Sequence, residues 1–200
     1  MTGRELATVL ETALGRLADS RDELRDLDAA LGDGDLGITV GKGCDAVRAK
    51  LAELEDPSPA EVLRAVGAAF ANANPSTLAA LVGGGLLAAA KTVADASDLG
   101  PEEARRIGRA AADSIAMRGK AEPGDKTILD AVLPSLDALE RPDGDALAAM
   151  VEAARRGVEE TTPLQSQRGR AAWLNERSKG KPDAGATAYV RFLESLSAVF

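Results

Sequence analysis

Asp26, Asp28, Asp33 and Asp35 place four carboxylates within ten positions of this chain. The last three sit in Leu27-Asp28-Ala29-Ala30-Leu31-Gly32-Asp33-Gly34-Asp35-Leu36-Gly37, where three glycines let the backbone fold tightly. No cationic side chain interrupts the run before Lys42. Carboxylates this close repel unless water separates them or a cation gathers them. Side-chain oxygens with no Cys or His beside them suit a hard ion, Mg2+ or Ca2+, better than zinc. The competing reading is a Gly/Asp turn whose carboxylates are solvated or cap the next helix. An EF-hand is excluded, because alternating oxygen ligands ending in Glu are missing. A P-loop is excluded too, because no Gly-Lys-Ser/Thr follows.

The element leading into this loop favours the metal. Leu6, Val9, Leu10, Ala13, Leu14, Leu17, Leu24, Leu27 and Leu31 recur mostly at spacings of three and four, one face of an amphipathic helix. Asp28 then falls near the C-terminal end of that helix. A negative charge there opposes the helix dipole by ~0.3–1 kcal/mol. A cation beyond the helix end would offset that cost.

Two later segments also carry chemistry. Arg118-Gly119-Lys120-Ala121-Glu122-Pro123-Gly124-Asp125-Lys126-Thr127 has glycines that permit close approach to a ligand. Asp125 or Thr127 is expected to cap the following helix, whose N-terminus attracts anions. Residues 165–187 hold Arg168, Arg170, Arg177, Lys179 and Lys181, together with the only tryptophan, Trp173. Guanidinium groups beside a flat apolar ring suit a phosphate and a base. The plainer alternative is a solvated, charged surface loop.

Composition narrows the classes. The 200 residues fit one domain, 1–200, with a sizeable core. Aromatics are 2%, so that core must be Ala, Leu and Val, which favours close-packed helices. No signal segment and no run of eighteen apolar residues appears, so neither export nor membrane spanning is expected. Cys44 is the only cysteine, which fits a reducing, cytoplasmic setting; packing is its expected role. The net charge of −8 and the scarcity of stacking aromatics argue against nucleic-acid binding. There is no His, so imidazole chemistry must come from another polypeptide.

The pattern predicts an all-α chain. Helices are expected over about 3–29, 38–54, from Ser58-Pro59 onward, from Asn74-Pro75 to about 96, and from Gly100-Pro101 to about 118. Three more follow over about 127–140, 144–160 and 184–199. The loops 119–126 and 161–183 are long for a compact bundle, a length usually reserved for function or disorder. Gly83-Gly84-Gly85 lies inside a helical pattern and points to a close helix crossing.

Three segments, in order, resemble the L subunit of dihydroxyacetone kinases across nearly the whole chain. They are Leu27 to Asp35, Gly119 to Thr127, and Gly169-Arg170-Ala171 through Glu176-Arg177-Ser178 to Asp183-Ala184-Gly185-Ala186-Thr187. The resemblance implies an antiparallel up-and-down barrel of eight helices with the site at one end. It implies two Mg2+ ions on Asp28, Asp33 and Asp35, bound to the phosphates of ADP or ATP. It brings Leu36, Gly37, Ile38, Thr39, Ser76 and Thr77 to the nucleotide, and Gly119, Ile128, Arg177, Asp183, Ala184 and Gly185 from the later loops. It further implies a separate K-type subunit that holds a ketose on a histidine. In one branch ATP is the donor; in the other, bound ADP is rephosphorylated by a phosphotransferase-system phosphocarrier. A homodimer is allowed, and the chain is expected to be an inactive half-enzyme alone.

Two departures stand out. Leu36 stands where the family usually has His, with Thr39 nearby as an alternative phosphate or metal-water contact. The family's Gly-Gly-Ala-Ser-Gly-Pro segment reads Asn72-Ala73-Asn74-Pro75-Ser76-Thr77 here, with Asn74 expected as a helix cap. They leave a second reading beside the kinase subunit: a catalytically impaired regulatory protein that senses nucleotide or a partner.

Overall fold

The computed structural model describes residues 1–140 and 144–200. Those residues form nine α-helices and two 3-10 segments, and their only β-type pairing is an isolated bridge between Thr2 and Asp98. Among them no helix is long and apolar enough to cross a membrane.

Several helix starts follow from local chemistry. At α1 (Gly3–Leu17) the Thr2 hydroxyl accepts from the Glu5 N–H at 3.3 Å, and Glu5 Oε2 accepts from the Thr2 N–H at 2.7 Å. Ser58 and Glu61 repeat this reciprocal cap at α4 (Pro59–Ala73), with Pro59 in the first turn. At α6 (Pro101–Gly119) the Gly100 N–H donates to Glu103 ahead of Pro101.

The expected helix over 3–29 is two helices. A 3-10 turn at Ala18–Ser20 separates α1 from α2 (Arg21–Ala29). Asp19 and Ser20 have short polar side chains that compete with helical bonding, and Arg21 Nε donates to the Ala18 carbonyl at 2.9 Å. Helix α3 (Leu36–Ala52) begins at 36 rather than 38, and α5 (Thr77–Thr92) ends short of 96. Ser76, not Asn74, caps α5, its hydroxyl accepting from the Ala79 N–H at 3.1 Å. Asn74 is extended, as the residue before a proline tends to be, and its amide donates to Thr39 Oγ1 at 2.9 Å. Helices α7 (Leu129–Glu140) and α8 (Ala146–Thr161) start two residues later than expected, and α9 (Ala184–Ser197) starts where expected.

Helices α1, α3, α4, α5, α6, α7, α8 and α9 pack in that order, and α9 returns to α1. Eight helices thereby close a barrel, while α2 packs against α3 and α9. Short connections make successive neighbours antiparallel. Small residues let the helices approach closely. A Cβ on Gly83 would lie 2.6 Å from both the Gly67 carbonyl and Ala71 Cβ, so the glycine run is a crossing of α5 on α4. Pro134 cannot donate to the Asp130 carbonyl, and α8 passes that oxygen with Gly157, where any Cβ would collide. Cys44 is fully buried in the main core, and burial pushes its thiol up to about 12.

The antiparallel order sorts the connections. Residues 1–2, 53–58 and 93–100 gather at one end, where the Met1 amino group donates to Leu99 O at 2.8 Å and Gly3 fits against Pro57. The connections 30–35, 74–76, 120–128 and 162–183 gather at the other end. All three segments singled out in the sequence are there.

Candidate functional site

The site grows out of the C-terminal end of α2. Asp28, in its last turn, accepts the Leu36 N–H on Oδ2 at 3.2 Å, so it satisfies the first turn of α3 from across the loop. Gly34, at φ +75°, turns the chain between Asp33 and Asp35. Asp28, Asp33 and Asp35 each offer a carboxylate oxygen, and the three atoms lie within 4.8 Å of one another. Burial pushes the Asp28 carboxyl above its ordinary value; the neighbouring charges of Asp35 and Asp33 add to this and the Leu36 N–H opposes it. Three converging hard oxygens, one of them partly desolvated, fit a divalent cation of the Mg2+ or Ca2+ kind. A cation already reaches them from the protein: Arg170 Nη1 pairs with Asp33 and lies 3.7 Å from Asp35 Oδ2.

Residues 36–39 run from this loop into α3. Leu36 is buried in the core, and Gly37 packs so closely on α2 that a Cβ would strike the Arg21 carbonyl. Thr39 is 1% exposed and holds Asn74; Ile38 points outward, half exposed. The Thr39 hydroxyl is thus committed to the α4–α5 junction rather than open at the surface.

The loop after α6 is organised by Asp130 and Lys126, to neither of which the sequence assigned a role. Lys120, at φ +50°, ends α6 in the left-handed region. Asp130 accepts the Gly124 N–H at 2.5 Å and the Thr127 N–H at 2.7 Å, and so caps the loop from inside α7. Thr127 Oγ1 accepts from the Leu129 N–H at 3.3 Å. Asp125 does not cap α7; its carboxylate takes the Glu122 N–H at 2.9 Å and Arg168 Nε at 2.6 Å. Lys126 is 1% exposed and donates to three carbonyls, Thr162 and Leu164 at 2.9 Å and Ser178 at 2.7 Å. Its position beside Gly124-Asp125 was visible in the sequence, but its burial was not: an isolated Lys reads as solvated.

The last connection ties these parts together. Its 3-10 segment, Arg170–Ser178, is kinked at Asn175, which adopts φ +49°. Arg168 binds Asp125, Arg170 binds Asp33, and Lys181 Nζ donates to the Ala30 carbonyl at 2.9 Å. Asp183 caps α9 through the Ala186 N–H at 2.7 Å. Burial pushes its carboxyl up to about 6, with the Asp130 charge adding and the Ala186 N–H opposing. A Cβ on Gly185 would lie 3.7 Å from Leu78 and 3.8 Å from Ile128, so α9, α5 and the last residue before α7 meet there. A Cβ on Gly119 would lie 3.7 Å from Leu81, one turn further along α5. Ser76 and Thr77 stand at the start of that helix, and Ala184 is the first residue of α9. Arg177 and Trp173 are exposed, Trp173 at 82%.

Comparison with known proteins agrees with this architecture. Residues 30–198 match the DAK2 domain family. The chain is 34% identical over 199 residues to L-erythrulose 1-kinase of Mycolicibacterium smegmatis, covering 96% of this chain and 35% of that protein. It is 31% identical over 193 residues to the ADP-binding subunit DhaL of the PEP-dependent dihydroxyacetone kinase of Escherichia coli, covering 93% of this chain and 92% of that subunit. The chain thus spans about a third of the first relative's length and nearly all of the second's. The fold superimposes on the dihydroxyacetone kinase of C. freundii, solved in complex with AMP-PNP and Mg2+, with a TM-score of 0.79 at 23% identity over 96% of this chain and 33% of that one. The chain belongs to the DAK2 domain family and is a DhaL-type subunit.

Proposed function

We propose that this chain is the nucleotide-bearing, phosphoryl-donor subunit of a kinase for dihydroxyacetone or a related ketose. ADP or ATP is held with Mg2+, two ions in the fullest form of the reading, on Asp28, Asp33 and Asp35. The observation that carries this is the convergence of those carboxylates within 4.8 Å at the barrel end where the other connections meet. The metal supplies neutralisation of phosphate charge, the main requirement of phosphoryl transfer.

The chain's own residues do the positioning. Asp28 is fixed by the Leu36 N–H, so one ligand is set before anything binds. The start of α5, capped by Ser76, offers free N–H groups to an anion. Arg177 and Arg170 bring forked donors from the 3-10 segment. Gly185, Ile128 and Gly119 line the junction through which the nucleoside half would pass, and the Lys126 staple keeps that junction in register. The relatives named for erythrulose and dihydroxyacetone widen the substrate class to short ketoses.

No histidine is present to hold a ketose covalently, so the acceptor belongs to a K-type partner. A phosphotransferase-system phosphocarrier would recharge the nucleotide if ADP is retained. Mixing the chain with a K-type subunit, dihydroxyacetone, ATP and Mg2+ tests the reading. Ketose phosphate should form only when both subunits are present. Nucleotide binding with no turnover, whichever K-type subunit and donor are supplied, would instead support the regulatory reading that Leu36 and the altered Asn72–Thr77 segment suggest.

A further inference from the structure

Arg170 opens the 3-10 segment and reaches back over the acidic loop. Its guanidinium pairs with Asp33 and stands 3.7 Å from Asp35, with side chains 55%, 49% and 35% exposed. A guanidinium on an Asp33 oxygen and a divalent cation on the same oxygen exclude each other. The segment's two ends are anchored elsewhere: Arg168 on Asp125 before it, and the Ser178 carbonyl on Lys126 at its end. Between those anchors, Arg170 is the contact that draws the segment to the acidic loop. Gly169 (φ +65°) and Asn175 (φ +49°) flank the stretch with positive-φ turns. Trp173, three positions from Arg170, is almost fully exposed.

We infer that Arg170 is a positioning residue that competes with the divalent cation for Asp33 and Asp35, so that metal binding releases the Arg170–Ser178 segment. The inference rests on the metal reading of the three aspartates. While metal is absent, Arg170 neutralises the carboxylates and keeps the acidic loop gathered. When metal arrives, the guanidinium leaves Asp33 and is free for the phosphates, while the anchors at Arg168 and Ser178 limit how far the segment travels. An exposed pair of this kind is worth a factor of about two to five in an equilibrium constant.

Trp173 is the chain's single tryptophan, so its emission reports this segment alone. The test is a Mg2+ titration without nucleotide, followed by calorimetry and by Trp173 fluorescence, on the wild type, Arg170→Gln and Arg170→Lys. In the wild type the emission should change with the same midpoint as the heat. Arg170→Gln should bind Mg2+ about two- to five-fold tighter, with an emission that no longer responds. Arg170→Lys keeps the charge and should restore part of the response. Unchanged or weaker Mg2+ affinity in Arg170→Gln overturns the inference, and so does a silent Trp173 in a wild type that binds metal. If neither protein binds Mg2+ alone but ADP binding depends on Mg2+, the competition is wrong and the metal-nucleotide reading stands. If Mg2+ matters in neither setting, both fall.

Discussion

The Lys126 ammonium donates to the Ser178 carbonyl at 2.7 Å, across 52 positions of sequence, from a side chain that is 1% exposed. With its bonds to Thr162 and Leu164, it makes the α6–α7 and α8–α9 connections one body. Desolvation lowers its pKa, the Asp183 charge opposes that, and the three carbonyls take the ammonium's hydrogen bonds.

Lys126→Met should therefore loosen the site end while leaving the barrel folded. Leaving buried acceptors unpaired costs ~1–3 kcal/mol. In a chain of this size that lowers Tm by roughly 2–10 °C. Thermal unfolding measures the loss, and faster tryptic cleavage within 161–183 locates it. An unchanged Tm with unchanged cleavage would contradict the staple.

Glycine substitutions should split by neighbourhood. Gly83→Ala gains helix propensity of ~1 kcal/mol. Its Cβ, however, meets backbone oxygen and Ala71 at 2.6 Å, and overpacking of that kind costs ~1–3 kcal/mol. A net loss of stability is expected. Gly41, inside α3, has nothing within 4 Å of a Cβ, so Gly41→Ala should stabilise by ~0.5–1 kcal/mol. Denaturant unfolding of the two variants checks both signs.

Asp183 gives a pH signature. Its carboxyl titrates near 6 in the folded chain against an ordinary 3.8. The folded state therefore holds the proton more tightly, and Asp183 contributes a stability that is present below about pH 4 and is lost as pH rises through about 6. Asp183→Asn keeps an acceptor for the Ala186 N–H but does not titrate. Wild-type stability minus that of Asp183→Asn should fall between pH 4 and 6 and be level above it. A difference that rises over that window would contradict the assignment.

Much of this fold was legible before the structure because its signals are local. Ser58-Pro59 and Gly100-Pro101 begin helices where capping chemistry says they should, and the three-and-four spacing of Leu and Ala marks the buried faces. The break at Ala18–Ser20 was not legible, since the apolar spacing runs through it and Asp19 and Ser20 are only weak local signals against a helix. Asn74 and Ser76 are both good caps by type; Ser76 takes the Ala79 N–H, while the Asn74 amide donates to Thr39, 35 positions away. The convergence of Asp28, Asp33 and Asp35 was readable because they share one short loop. Lys126 and the Arg170–Asp33 pair were not, because each acts across connections that only the closed barrel brings together; Asp130 acts within six positions, on the Thr127 and Gly124 N–H groups, and the Thr127-x-x-Asp130 spacing was its local signal.

The metal-nucleotide site is tested by calorimetric titration of ADP and ATP into the chain, with Mg2+ and then with EDTA, on the wild type and on Asp33→Asn. Binding should be lost with EDTA and lost in the variant. Nucleotide affinity that is the same with EDTA, or the same in Asp33→Asn, would contradict it.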